Sequence, residues 1–125
     1  MRLMKERTSL NVVNDQLGSP TYAANLANII LEIIEKSNRQ TGNWKPGIFH
    51  YSNDGVISWY DFAVAVKNIT GSNCTLNPIP TSSYPTPAPR PAYSVLNKEK
   101  IKLAYNITIP EWKNSLEICM AKLKL

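Results

Sequence analysis

Two adjacent polar residues, Asp15 and Gln16, follow a short β-branched run and precede a segment with helical periodicity. In open α/β folds, ligands bind beside strand ends of this kind. The Gln16 amide offers two donor hydrogens and one acceptor, which suits recognition of a base edge or a carbonyl group. The alternative is a loop residue that is solvated or bonded within its own turn. Free backbone N–H groups at the next helix start, at Thr21 and Tyr22, could also meet an anion.

Arg90 lies in an unusual segment, residues 78–91, which has six prolines among fourteen residues. A guanidinium on a stiff backbone loses little freedom on binding, which suits a two-point grip on phosphate. Tyr84 and Tyr93 bracket Arg90 and could stack on a flat ring or simply pack the loop. The alternative is a surface arginine in an extended proline-rich linker.

The other reactive side chains form no catalytic set. No tyrosine is followed by a lysine four positions later, and no GxGxxG turn is present to hold a pyrophosphate. His50 is the single histidine, so a histidine metal cluster is excluded, and its apolar neighbours indicate a structural histidine. Lys98, Lys100 and Lys102 predict a solvated helix face or, alternatively, a diffuse positive field.

Strands and helices alternate along the first half of the chain. Residues 9–14 predict a strand that ends at the Asp15 turn. Ser19 as N-cap and Pro20 as first helical residue predict a helix, and its apolar face continues through residues 22–36. A buried strand is expected at residues 48–51.

The second half begins with a clear helix signal. Ser58 and Asp61 have capping-box spacing, and Gly71 is the expected C-terminal stop. Five side chains follow at core spacing: Trp59, Phe62, Ala63, Val66 and Ile69. Residues 76–79 predict a third strand.

Two further helices are expected. Asn97 caps a short one to about residue 104, and Pro110 opens the last. The last helix carries an apolar seam of Trp112, Leu116, Cys119, Met120 and Leu123. The element order predicts an α/β fold with some parallel pairing.

Length and composition narrow the class of protein. The 125 residues, 43% hydrophobic, suffice for one domain but not for a complete dinucleotide-dependent oxidoreductase. The net charge of +5 favours an anionic partner, but 18% charged residues is dilute for a nucleic-acid binder. Cys74 and Cys119 lack CxxC spacing and indicate reduced thiols. With no signal peptide or membrane span evident, we expect a cytoplasmic protein without a membrane or nucleic-acid partner.

Three sequence motifs occur in a characteristic order: VNDQLGSPTY at 13–22, GIFHYSNDGVISWYDF at 47–62 and PTSSYPTPAPRPAYSVLNK at 80–98. Together with IPEW at 109–112, they identify the chain as similar to the C-terminal part of dTDP-4-dehydrorhamnose reductases, which are extended short-chain dehydrogenases/reductases. The resemblance runs over essentially the whole sequence.

The resemblance implies a two-part enzyme that reduces C4 of dTDP-4-dehydro-L-rhamnose with NAD(P)H, giving dTDP-L-rhamnose for surface polysaccharide. The cofactor and the Ser/Thr-Tyr-Lys catalytic residues would belong to a Rossmann half that this sequence lacks. Residues 1–125 would form a single substrate-binding domain, inactive alone. Its expected fold is α/β, with short parallel or mixed strands and three main helices.

The resemblance also gives the candidate side chains sharper roles. Arg90 would bind the nucleotide diphosphate. The substrate cleft would be lined by Gln16, Pro20, Thr21 and Tyr22, with Tyr84 and Asn97 as further candidates. No catalytic, cofactor-binding or metal-binding residue is expected. Some family members use Mg²⁺ at a dimer contact, but Ala24 and Asn25 stand where an acidic ligand would be wanted, and the need for Mg²⁺ stays open.

Without a Rossmann half, the helix at 22–36 and the strand at 48–51 would expose an apolar face and a strand edge. We therefore expect either self-association into a homo-oligomer or a longer parent protein. The alternative function is a non-catalytic regulatory subunit, because one such subunit of methionine adenosyltransferase resembles this family. A basic nucleic-acid module is disfavoured by the lack of an aromatic-basic stripe.

Overall fold

The computed structural model, which describes residues 1–37 and 44–123, contains a pair of parallel strands, β1 (Ser9–Val13) and β4 (Thr75–Ile79). Their register runs from Ser9 opposite Thr75 to Val13 opposite Ile79. A second, antiparallel pair joins β2 (Leu17–Gly18) to β3 (Ile57–Ser58). The α/β class and the parallel pairing expected from the sequence are confirmed.

These strands belong to the first of two compact units, called here the strand unit: Met1–Gly18, Val56–Val95 and Leu116–Leu125. It also contains α1 (Arg2–Glu6), α3 (Trp59–Thr70) and a 3-10 turn at Thr81–Ser83. α3 packs against both β1 and β4. The buried apolar side chains of this unit are Ala65, Val66, Cys74, Leu116 and Met120.

The capping signals of α3 are confirmed in detail. The Ser58 hydroxyl accepts a hydrogen bond from the Asp61 N–H at 3.1 Å, and the Asp61 carboxylate accepts from the Ser58 N–H at 2.9 Å. Gly71 ends the helix in the left-handed region, at φ 64°. The prediction that the five spaced side chains of α3 face the core is only partly right. Val66 is buried, whereas Trp59 is 56% exposed and Ile69 is 39% exposed.

The second unit, called the helical unit, comprises Ser19–Gly55 and Leu96–Ser115. It holds α2 (Ala23–Lys36), α4 (Glu99–Tyr105) and the first turn of α5 (Trp112–Lys122). Its core is one cluster of buried side chains from Ile29, Ile101, Tyr105, Ile107 and Ile109. The Phe49 ring packs edge-on against Tyr105, with ring centroids 5.4 Å apart. Full burial of a side chain of this size contributes about 1.5–3 kcal/mol.

α2 starts later than expected, at Ala23 with Tyr22 as its N-cap. Ser19 is not the cap, because its hydroxyl donates to the Gly55 carbonyl at 2.7 Å. The Tyr22 N–H instead donates to Asn53 Oδ1 at 2.8 Å. A side chain distant in sequence therefore satisfies the helix start, and the expected cap at Ser19 and start at Pro20 are wrong.

The expected strand at residues 48–51 is also wrong. These residues form no strand, and Ile48 is 79% exposed. Phe49 and Tyr51 pack against the core while His50 is exposed. The side chains of this run therefore alternate between core and solvent, as in a strand, but the run pairs with no described strand. His50 is consequently a surface residue and not the structural histidine expected.

The apolar face predicted for α2 is present and exposed. Four large side chains along it, Leu26, Ile30, Leu31 and Ile34, are 37–62% exposed. In α5, Leu116 and Met120 are buried as the seam predicts, whereas Leu123 is 57% exposed. None of the helices within the described ranges has the length and hydrophobicity needed to span a bilayer.

Candidate ligand-binding site

A cleft of about 390 Å³ in the strand unit runs along β1 to the turn that follows it. Three of the residues singled out from the sequence, Gln16, Tyr84 and Arg90, line it together. The other lining residues are Asn11, Val12, Val13, Trp59 and Thr86. The strand-end position predicted for Gln16 is therefore a cleft wall, in keeping with where α/β folds bind ligands.

Arg90 is the one charged side chain among the described residues that line this cleft. It is exposed, and no described residue forms a hydrogen bond or an ion pair with its guanidinium. A guanidinium without a carboxylate partner retains its donors for an anion. The cleft can therefore accept a phosphate-like group at Arg90.

Two aromatic rings line the same cleft. Tyr84 is 57% exposed and Trp59, the first residue of α3, is 56% exposed. Exposed rings of this size offer flat apolar surfaces on which a planar ligand group can stack. Sequence reasoning missed Trp59 because its spacing matched the helix core. Its place directly after the Ser58 cap, in the first turn, was the available signal.

The chain that carries Arg90 is tied back to β2. The Leu17 N–H donates to the Ala92 carbonyl at 2.8 Å, and the Ser94 N–H donates to the Leu17 carbonyl at 2.9 Å. These bonds flank Tyr93, which forms a parallel bridge with Leu17 and is 61% exposed. The proline-rich segment is therefore anchored two residues after Arg90 and is not a free linker.

Asp15 and Thr81 join the two sides of the β1–β4 pair at the cleft. The Asp15 carboxylate accepts the Thr81 N–H at 2.9 Å and the Thr81 hydroxyl at 2.5 Å. Gln16 Nε2 donates to the same hydroxyl oxygen at 3.1 Å. The side-chain hydrogen bond from Thr81, followed by its backbone hydrogen bond, lowers the pKa of Asp15.

The other four candidates lie in the helical unit. Pro20 and Tyr22 are half-buried, and Thr21 and Asn97 are exposed. Asn97 Oδ1 accepts the Glu99 N–H at 2.9 Å in the turn directly before α4. The N-cap of α4 is Lys98, so the expected cap at Asn97 is wrong by one residue. Their part in ligand binding stays a prediction.

Asn53 organises the backbone around these residues. Its side chain is 0% exposed, accepts the Tyr22 N–H, and donates to the Pro110 carbonyl at 3.0 Å and to Ser115 Oγ at 2.9 Å. Asn25 Nδ2 donates to the same Ser115 oxygen at 2.8 Å. A buried amide with this many partners holds one geometry, because every bond it loses leaves a buried polar atom unpaired.

The lysines of α4 do not form the solvated face expected. Lys98 and Lys102 are four residues apart and both pair with Asp54, at 2.8 and 2.7 Å. Lys100 donates to the Ile48 carbonyl and lies 4.8 Å from the centre of the Phe49 ring. Burial raises the pKa of Asp54, but the hydrogen bonds from Lys102 and Lys98 outweigh it, and the net pKa is lowered.

In the described part of the chain, no three His, Cys, Asp or Glu side chains lie close enough together to hold a metal ion. Ala24 and Asn25 occupy the first turn of α2, and the Asn25 amide is bonded to Ser115. Both cysteines are free thiols; Cys74 is buried and Cys119 half-buried.

Fold and cleft together define an α/β ligand-binding module suited to an anionic ligand with a flat ring. Residues 1–125 match the family described as RmlD substrate binding domain. The chain belongs to this family.

Individual relatives agree with the family assignment. The chain is 35% identical to a dTDP-4-dehydrorhamnose reductase of Burkholderia thailandensis, over 98% of this chain and 45% of that protein. A crystal structure of a dTDP-4-dehydrorhamnose reductase from Clostridium acetobutylicum superposes with a TM-score of 0.88 at 37% identity, covering 99% of this chain and 42% of that one. The Bacillus anthracis reductase in complex with NADP gives 0.86 at 33% identity, over 97% and 41%. The chain thus spans less than half the length of these relatives.

Proposed function

We propose that this chain is the substrate-binding part of a dTDP-4-dehydrorhamnose reductase of the extended short-chain dehydrogenase/reductase family. Residues 1–125 serve as one substrate-binding domain, and its ligand is a dTDP-sugar. The observation that carries the proposal is the cleft, in which an unpaired Arg90 and two exposed rings stand beside Gln16.

Each part of the ligand has a chemical counterpart in this cleft. The Arg90 guanidinium forms paired, charge-assisted hydrogen bonds with the diphosphate. Trp59 and Tyr84 stack on the thymine ring. Gln16 supplies hydrogen bonds that select orientation. Four residues of the helical unit also stay proposed as substrate-binding residues: Pro20, Thr21, Tyr22 and Asn97.

The proposed reaction is reduction of the C4 ketone of dTDP-4-dehydro-L-rhamnose to dTDP-L-rhamnose. The reductant, NAD(P)H, finds no fitting site among these residues, because the sequence has no glycine-rich strand–helix turn to hold its pyrophosphate. Cofactor and proton-transfer residues are therefore assigned to a part of the enzyme outside this sequence. This chain contributes binding and orientation, and alone it is inactive. Two free thiols are in keeping with a cytoplasmic location.

The first experiment is a ¹H–¹⁵N correlation spectrum of the chain titrated with dTDP, with UDP as the specificity control. We expect dTDP to shift amide signals of residues lining the cleft. Replacing Arg90→Ala removes the charge-assisted bonds and weakens dTDP binding by about ten- to a hundredfold. Arg90→Lys is the matched control, because it keeps the charge but loses the two-point geometry, and its loss should be intermediate.

Two results would contradict this assignment. A well-dispersed spectrum that neither nucleotide shifts would mean that the cleft is not a nucleotide site in this chain. Equal binding of dTDP by the parent chain and by Arg90→Ala would remove Arg90 from the site.

A further inference from the structure

We propose that Thr81 is a positioning residue that fixes the Gln16 side-chain amide, so that Gln16 Oε1 faces the ligand as a hydrogen-bond acceptor. The inference rests on the proposed function, and it adds which kind of ligand group Gln16 recognises. That group is a donor, either the N3–H of the thymine or a hydroxyl of the sugar.

The ionised carboxylate of Asp15 carries only hydrogen-bond acceptors. Both of its oxygens lie 2.9 Å from the Thr81 nitrogen, and one lies 2.5 Å from the Thr81 hydroxyl oxygen. Asp15 is ionised at neutral pH, because its ordinary pKa of 3.8 is already well below 7 and these hydrogen bonds lower it further. The hydroxyl hydrogen of Thr81 is therefore committed to Asp15.

The hydroxyl oxygen of Thr81, Oγ1, determines how the Gln16 amide can be oriented. With its one hydrogen donated, Oγ1 can only accept further bonds. The Gln16 amide lies against it with 3.1 Å between Nε2 and Oγ1. Reversing the amide would set Oε1 against an oxygen that has no hydrogen left to offer, so the hydrogen bonds allow one orientation.

The orientation decides what Gln16 offers to the cleft. One hydrogen of its NH₂ group is donated to Thr81, and no described residue donates to Oε1. Gln16 is half-buried and lines the cleft. A site that presents a fixed acceptor discriminates against a ligand that lacks the matching donor, because the acceptor then stays unpaired.

The test compares four variants of the chain by calorimetric titration. Thr81→Val keeps the shape and removes the hydroxyl, Thr81→Ser restores it, and Gln16→Met removes the amide. Thr70→Val is the matched control, since Thr70 lies outside the cleft at the end of α3 and its hydroxyl donates to the Val66 carbonyl at 2.9 Å. The ligands are dTDP, its N3-methyl derivative and dTDP-rhamnose.

We expect Thr81→Val and Gln16→Met to weaken binding by a similar factor, about three- to tenfold, with Thr81→Ser and Thr70→Val close to the parent chain. If the donor is N3–H, the loss appears with dTDP and vanishes with the N3-methyl derivative. If the donor is a sugar hydroxyl, the loss appears only with dTDP-rhamnose. Either pattern supports the proposal.

Unchanged affinities of Thr81→Val for all three ligands, alongside weakened binding by Arg90→Ala, would overturn the role of Thr81 and leave the proposed function standing. Absence of binding to every ligand would overturn the proposed function instead. The orientation is then still tested in the free chain, because the side-chain amide hydrogens of Gln16 should exchange faster with solvent in Thr81→Val than in Thr81→Ser. Equal exchange rates would contradict the positioning role.

Discussion

At the scale of single residues, the cleft and the helical unit rely on side chains that hold backbone in place. Thr81 orients Gln16, and the buried Asn53 fixes the start of α2 through the Tyr22 N–H. Neither was evident from the sequence, because threonine and asparagine are common in loops and their partners lie 31 to 65 positions away. Arg90 and Gln16, which line the cleft, could be named as candidates, since residue type and local backbone setting drew attention to them.

Asp54 gives a prediction about acid stability. Its pKa is lower in the folded chain than its ordinary value of 3.8, so the unfolded state takes up its proton first as pH falls. The stabilisation by Lys98 and Lys102 is therefore complete above the ordinary carboxyl range and is lost as pH falls through the lowered folded-state pKa. We expect Asp54→Asn to lower the melting temperature at pH 7 and to reduce this loss in acid.

The measurement is thermal unfolding between pH 2 and pH 7, followed by circular dichroism. Glu32→Gln is the control, because it removes an exposed carboxylate whose pair with Lys36 contributes at most about 1 kcal/mol. Parallel pH curves for Asp54→Asn and the parent chain would show that the two lysines do not stabilise Asp54.

At the scale of elements, two glycines allow the energetic cost of backbone strain to be compared with the cost of close packing. Gly71 lies at φ +64° with open space around the position of a Cβ. Gly55 lies at φ +105°, and a Cβ there would overlap the Trp112 ring and lie 3.1 Å from a Glu111 carboxylate oxygen. We expect Gly71→Ala to cost about 1–2 kcal/mol from backbone strain alone. Gly55→Ala should cost about 2–4 kcal/mol, because overpacking adds to the strain.

Urea unfolding of the two variants measures the difference. Equal losses of unfolding free energy would mean that the Trp112 ring moves aside freely and that packing at Gly55 contributes nothing.

Elements with complete local signals were predictable and those with distant partners were not. Ser58, Asp61 and Gly71 define α3 within its own sequence, and both caps are confirmed. The start of α2 could not be predicted, since Asn53 replaces the local cap that Ser19 offered. The apolar run at residues 48–51 has strand composition, yet strand formation needs a pairing partner that no local pattern encodes.

At the scale of the whole molecule, the exposed face of α2 predicts self-association. Leu26, Ile30, Leu31 and Ile34 leave a row of large apolar side chains in contact with water. Burying such a row between two chains is favourable, by about 25 cal/mol for each Å² of apolar surface. We expect the sedimentation coefficient of the chain to rise with concentration.

A double variant, Ile30→Lys with Ile34→Lys, should sediment as a monomer at all concentrations. Asn28→Lys is its control, because it adds a lysine on a different face of the same helix and should leave association unchanged. A parent chain that stays monomeric would contradict the prediction.

The parallel pairing of β1 with β4 has a consequence for how the chain folds. It joins residues 66 positions apart, such as Val13 and Ile79, so a long loop must close before any of these contacts forms. Contacts of this kind form slowly. They hold β1, whose residues 11–13 line the cleft. The cleft is therefore absent from partly folded chains. A nucleotide that binds the cleft therefore binds only the fully folded chain. By mass action it increases the folded population, and the protein becomes more resistant to proteolysis.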